Sequence, residues 1–243
     1  MVHQVTSKID RLHVLVIGPG LGRCPMVCEA TARIIRYAMT QNLALVLDAD
    51  ALWIIAQPQY RSLLKDYANV VLTPNVVEYK RLFDDKELTD DNNNSQPPHL
   101  LKEATVVQKG RFDTISRNGQ TLMECHQMGG KKRSGGIGDV LAGTIGTLVA
   151  WHDILASSGS KQRDLHQDPA DNSLLALSCW TACCFVKVAT QLAFERKKRS
   201  MTAPDVLDHL GLAIDLMTAE VEQDEPYTNP TLPYGKAQDT SKL

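Results

Sequence analysis

Two glycine-rich segments of this 243-residue sequence carry the residue types that bind phosphate. The first, Gly18-Pro19-Gly20-Leu21-Gly22-Arg23, lies between an apolar run and a helix-patterned one. Glycines at such a junction allow close backbone approach, and a helix N-terminus attracts an anion. Asp48 ends the following apolar run, where the ribose-binding acid of a dinucleotide fold would stand. Against that reading, the spacing is G-x-G-x-G, and Pro19 removes one amide from any phosphate cradle. Phosphate contact and a merely tight turn both remain open for this segment. The second, Lys131-Lys132-Arg133-Ser134-Gly135-Gly136-Ile137-Gly138-Asp139, puts three basic residues ahead of a glycine nest and a helix start. Successive glycine amides and the helix dipole together suit a polyphosphate. Asp139 has two readings: an acid capping the helix start, or a general base beside a transferring phosphoryl group. No G-x-x-x-x-G-K-[ST] occurs, which excludes a P-loop enzyme.

Smaller constellations surround these two. Asn75 and Glu78 are spaced i, i+3, so they either reach a common ligand or act as a cap and a solvated acid. Asp48 and Asp50 alternate at a strand end, so only one faces a cleft there; both water-mediated Mg²⁺ binding and a turn role fit them. Of the six cysteines, Cys24 and Cys28 are i, i+4 and no second pair answers them with zinc-ligand spacing. Cys179, Cys183 and Cys184 sit in an apolar stretch, and all six, Cys125 included, read as reduced, structural thiols of an intracellular protein.

The elements that must position these residues alternate along the first half. Strand patterns over 12–17, 43–47, 70–72 and 105–108 are interleaved with helix patterns over 24–40, 51–60 and 76–83, the last with Asn75 as cap. Continuous Val/Leu runs mean strands buried on both faces, hence a parallel α/β sheet. Runs 113–116 and 120–126 flank Arg117-Asn118-Gly119 and predict an antiparallel hairpin beside that sheet. Helices are predicted over 139–154, 174–194 and 203–217, and mobile stretches over 84–99, 157–172 and 222–243. The 174–194 run approaches membrane-span length, but Ser178, Thr181, Lys187, Thr190 and Gln191 favour a buried core helix.

Composition agrees with a globular α/β protein: 43% hydrophobic, 22% charged, formal net charge −2. That balance excludes a mostly disordered chain, and the near-neutral charge with 5% aromatics argues against nucleic acid as a partner. The first ten residues are polar and carry no signal-peptide core.

Together, GPGLGR (18–23), LDADAL (47–52), LTPNVVEYKRL (72–82), VVQKG (106–110) and SGGIGDVLAG (134–143) resemble the ATP-dependent (S)-NAD(P)H-hydrate dehydratase family of the ribokinase-like superfamily. The motifs stand in the family's order over about 14–212. The resemblance implies a three-layer α/β/α sandwich with a mainly parallel sheet and an antiparallel edge hairpin. It implies one domain over 1–221 with a flexible tail over 222–243. The implied activity is dehydration of the S form of hydrated NADH and NADPH, giving ADP and phosphate, with ATP as co-substrate and Mg²⁺ as cofactor.

Carried over by position, the resemblance puts the hydrated dinucleotide against Gly20, Asn75, Val76, Val77, Glu78, Tyr79, Lys80, Arg81 and Asp139. ATP would lie along Lys109, Gly110, Arg111, Phe112 and Asp113, and along Gly129, Gly130, Lys131, Lys132, Arg133, Ser134, Gly135, Gly136, Ile137 and Gly138. Asp139 matches the superfamily's G-x-G-D aspartate, which implies the general-base reading. The metal ligands stay unassigned.

The family's domain normally begins well before its GPGLGR strand, so an N-terminally short domain is expected here, with an exposed sheet edge that invites homo-oligomers. Partners are otherwise small molecules, with no nucleic acid and no membrane. Three other functions fit part of the pattern: a ribokinase-like small-molecule kinase, an NAD(P)-dependent oxidoreductase, and a non-catalytic nucleotide-binding remnant. A cytoplasmic location is the default, and the ending Ser241-Lys242-Leu243 gives a peroxisomal address as the alternative.

Overall fold

The computed structural model describes residues 2–83, 101–158 and 173–219. Six strands form one sheet in the order β1-β2-β3-β4-β5-β6. β1 (Val14–Ile17), β2 (Ala44–Leu47), β3 (Val70–Leu72) and β4 (Thr105–Gln108) pair in parallel. β5 (Asp113–Arg117) and β6 (Gln120–Cys125) continue the sheet antiparallel. Leu45, Leu47, Val70, Leu72 and Val106 enter one core; Ala44, Val46, Val71, Val107 and Ile115 enter the other. Burial on both faces is why the strands read as unbroken apolar runs. The hairpin turns on positive φ at Asn118 (48°) and Gly119 (73°), the conformation that makes Asn-Gly a strong turn signal.

On one face pack α1 (Val2–Thr6), α2 (Pro25–Thr40), α3 (Asp50–Ile55) and α4 (Val76–Phe83). The other face holds α5 (Ile137–Ser158) and α6 (Ser173–Lys197), with α7 (Ala203–Asp208) and α8 (Leu210–Thr218) against α6. This is the three-layer α/β/α sandwich with a mainly parallel sheet and an edge hairpin. The segment Leu174–Ser200 is long and apolar enough to cross a membrane by length and composition, and 61% of its apolar window is buried inside the fold. All six cysteines are free thiols, five of them buried, and Cys125 and Cys184 lie 3.4 Å apart, sulfur to sulfur.

Four boundaries differ from the sequence expectation. The 51–60 helix breaks: α3 stops at Ile55 and Pro58 opens a separate 3₁₀ turn, Pro58–Tyr60. Proline has no N–H for the Ile54 carbonyl and drives Gln57 into extended backbone (φ −73°, ψ 142°). The 203–217 helix is two: the His209 amide turns to the Val206 carbonyl in an i−3 bond, and the His209 ring nitrogen lies 2.7 Å from the Asp205 carbonyl. Residues 2–6, polar in sequence, form α1, held by Val2 and Val5 against the first core. α5 starts at Ile137, not Asp139, so Gly138 and Asp139 fall within its first turn. Residues 84–99, most of 157–172, and the tail from 222 with Ser241-Lys242-Leu243 lie outside the described residues.

Candidate active site

A cavity of about 1010 Å³ opens at the carboxyl ends of β2, β3 and β4, where ligands sit in open α/β sheets. Asp48 and Ala49 come from the end of β2, Asn75 to Glu78 from the β3–α4 junction, and Lys109 to Arg111 and Asp113 from the β4–β5 turn. The loop over 128–136 and the start of α5 close one side, and α6 contributes Cys183, Val186, Lys187 and Thr190.

The two aspartates after β2 part ways because Ala49 takes φ +48° between them. Asp48, 2% exposed, faces the cavity, and its Oδ1 accepts from Lys109 Nζ at 2.6 Å. Asp50 turns instead to the first glycine segment. Its Oδ1 accepts from Arg23 Nε at 2.7 Å and its Oδ2 from the Gly22 amide at 2.9 Å. The Arg23 hydrogen bond holds the Asp50 carboxyl below its usual range, against the opposing effect of burial. Arg23 also lies over the Trp53 ring at 5.1 Å. Gly18 is a close-approach residue: a Cβ there would stand 1.7 Å from the Asp48 carbonyl oxygen. The first glycine segment is therefore a latched turn outside the cavity lining.

Asn75 and Glu78 are a reciprocal cap. Asn75 Oδ1 accepts from the Val77 and Glu78 amides at 2.9 and 3.0 Å, and Glu78 Oε2 accepts from the Asn75 amide at 2.8 Å. Both residues also line the cavity, so the cap orients them at its wall. Asp113, 5% exposed, accepts from the Gly110 amide at 2.8 Å and pairs with Lys187 at 3.3 Å. Lys187 also donates to the Arg111 carbonyl at 2.7 Å, so this buried pair shapes the Gly110 turn.

The 128–136 loop is tied to the α6–α7 region. The Gly130 amide donates to Thr190 Oγ1 at 3.0 Å, and Lys132 Nζ donates to the Met201 carbonyl. Gly136 takes φ +88°, and a Cβ there would come 2.9 Å from Ala203 Cβ. α5 then begins at the cavity with Asp139 exposed in its first turn; the Ile137 and Val140 amides bond the Ser134 and Gly136 carbonyls, which leaves those of Gly138 and Asp139 for a ligand. Those amides and the dipole make an anion site, and Asp139 is a carboxylate beside it.

Most of the residues expected to bind ligand thus share one cavity. Gly20, Tyr79, Lys80, Arg81 and Phe112 do not line it. Tyr79 packs on Phe83 (ring centroids 4.6 Å) and the first core, Lys80 and Arg81 are exposed, and Phe112 stacks near His126 at 4.7 Å. Met128, Leu141, Cys183, Val186, Lys187 and Thr190 line the cavity without having been singled out as ligand contacts. The sequence signal for Lys187 is its charge alone within an apolar run; Cys183 has none, and burial pushes its thiol up.

The family model described as NAD(P)H-hydrate dehydratase matches residues 1–211. A protein of Entamoeba histolytica named ATP-dependent (S)-NAD(P)H-hydrate dehydratase is 36% identical over 213 residues, covering 88% of this chain and 66% of the relative. One of the same name from Schizosaccharomyces pombe is 37% identical over 219 residues, covering 89% and 65%. The chain therefore spans just under two thirds of these relatives' lengths. Among solved structures, a ribokinase-like superfamily protein of Enterococcus faecalis aligns with TM-score 0.56 and 18% identity, over 88% of this chain and 66% of that one.

Proposed function

The chain belongs to the NAD(P)H-hydrate dehydratase family, and from that premise we propose that it dehydrates the S form of hydrated NADH and NADPH at the expense of ATP. The observation that carries this reading is the placement of Asp139 in the first turn of α5, at a cavity shared with the glycine turn and Lys109. ATP lies with its phosphates against the α5 amides and Lys109, a preorganised set of donors for the charge of phosphoryl transfer. The hydrate lies toward Asn75 and Glu78. Asp139 accepts the proton of the hydrate's hydroxyl as that oxygen bonds the γ-phosphorus and the bond to ADP breaks. The ring nitrogen's electron pair then expels phosphate, and loss of the ring proton restores the dihydronicotinamide. Asp139 is the carboxylate best placed for this proton, since Asp48 pairs with Lys109, Asp113 with Lys187, and Glu78 caps α4.

The phosphates placed there would bring magnesium with the nucleotide. Among the described residues no three His, Cys, Asp or Glu side chains gather as a metal group. A Mg²⁺ carried on the phosphate oxygens, with water completing its shell, would fit the ion's habit at nucleotide sites and would neutralise phosphate charge while Asp139 stays free to take the proton. The deciding experiment incubates the protein with ATP, Mg²⁺ and hydrated NADH while following NADH absorbance and ADP. NADH restored in step with ADP is expected. ATP bound with neither product formed overturns the reading.

A further inference from the structure

We infer that Asp48 is a positioning residue for the nucleotide: its buried carboxylate fixes the Lys109 ammonium beneath the first turn of α5, where the amine meets phosphate. The inference rests on the dehydratase reading for where ATP lies. Three observations carry it. Asp48 is 2% exposed and its Oδ1 is 2.6 Å from Lys109 Nζ. A Cβ built on Gly138 would lie 3.4 Å from that Nζ and 3.5 Å from Asp48 Oδ2, so both charges press against the helix start. The base of the lysine is fixed as well, since its amide donates to the Pro74 carbonyl at 2.9 Å.

A cation at a helix N-terminus opposes the dipole, so what holds the Lys109 ammonium there is its pairing with the buried Asp48 carboxylate. A phosphate between the ammonium and the α5 amides turns that conflict into attraction. An ammonium has three protons, and Asp48 takes one. Lys187, by contrast, is held by two acceptors, the Asp113 carboxylate and the Arg111 carbonyl. Without Asp48 the flexible lysine stem would spread its charge over many rotamers.

The test is a cycle of Asp48→Asn, Lys109→Met and the double variant, reading Mg·ATP affinity by calorimetry, thermal unfolding, and KM for ATP and for hydrated NADH separately. Asp48→Asn should weaken ATP binding about ten- to a hundredfold, the span of one hydrogen bond to a charged group. KM for ATP should rise with it while KM for the hydrate holds, a split that general structural damage would not produce. In the Lys109→Met background the Asp48 change should weaken ATP no further, and this comparison stands even where Asp48→Asn alone folds poorly. Equal or tighter ATP binding by Asp48→Asn, or a full further loss in the double variant, overturns the inference and leaves the dehydratase reading untouched. The expected ATP effects in a protein that dehydrates no hydrate support the inference and overturn only that reading.

Discussion

At the residue scale, the neighbouring glycines of the second segment have different jobs, and substitution separates them. Gly136 has φ +88° and Ala203 2.9 Å from any added Cβ, so Gly136→Val should lower stability by about 1–3 kcal/mol or more. A Cβ on Gly135 meets nothing within 4 Å, at a φ that side chains accept, and Gly135 lines the cavity. Gly135→Val should therefore unfold at the wild-type temperature yet bind ATP more weakly. Calorimetric titration beside thermal unfolding checks the pair; unchanged ATP affinity in Gly135→Val would remove the phosphates from that turn. Asp139→Asn probes the chemistry instead. The amide keeps the side chain's size but cannot take a proton, so turnover should fall about 10²–10⁴-fold with ATP binding nearly intact. An Asn variant keeping most of the wild-type rate would end the general-base assignment.

At the element scale, the latch between α3 and the first glycine segment makes a pH prediction. Asp50 has its carboxyl pKa lowered from 3.8, chiefly by the Arg23 hydrogen bond. A depressed folded pKa means the latch contributes stability above 3.8 that is lost only as pH falls through the lower, folded value. The Gly22 amide resonance, whose proton Asp50 accepts, should stay constant from neutral pH down to about 4 and shift below it. A Gly22 shift centred at or above 3.8 would show that Asp50 is not latched. The elements themselves were legible wherever one force dominated. Val70–Leu72, all buried, announced a strand covered on both faces, and Asn118-Gly119 announced its turn. Legibility failed where a local feature overrides periodicity, as Pro58 does in ending α3 and the i−3 turn at His209 does between α7 and α8. It failed again where the site borrows from distant chain: Lys187 reaches Asp113 across 74 positions, and its lone charge in an apolar run does not say which cavity it enters. The Asn75 cap on α4 was legible, but only the fold shows Glu78 bonding back to the Asn75 amide and both residues lining the cavity.

At the scale of the whole molecule, the cavity is walled by the ends of three parallel strands, the hairpin's entry turn, and both α5 and α6. These parts belong to both faces of the sheet: α4 packs in one core, α5 and α6 in the other. A ligand there touches elements that separate on unfolding, and binding only the folded state stabilises it by mass action. ATP with Mg²⁺ at a hundred times its Kd should add about 2.7 kcal/mol, which for a chain of this size is a rise of roughly 5–10 °C in Tm. The rise should persist in Asp139→Asn, whose loss is one of proton transfer, and shrink in Gly135→Val, whose loss is one of space. Differential scanning fluorimetry across a nucleotide series measures all three. A rise undiminished in Gly135→Val would show that the nucleotide is held somewhere other than this cavity.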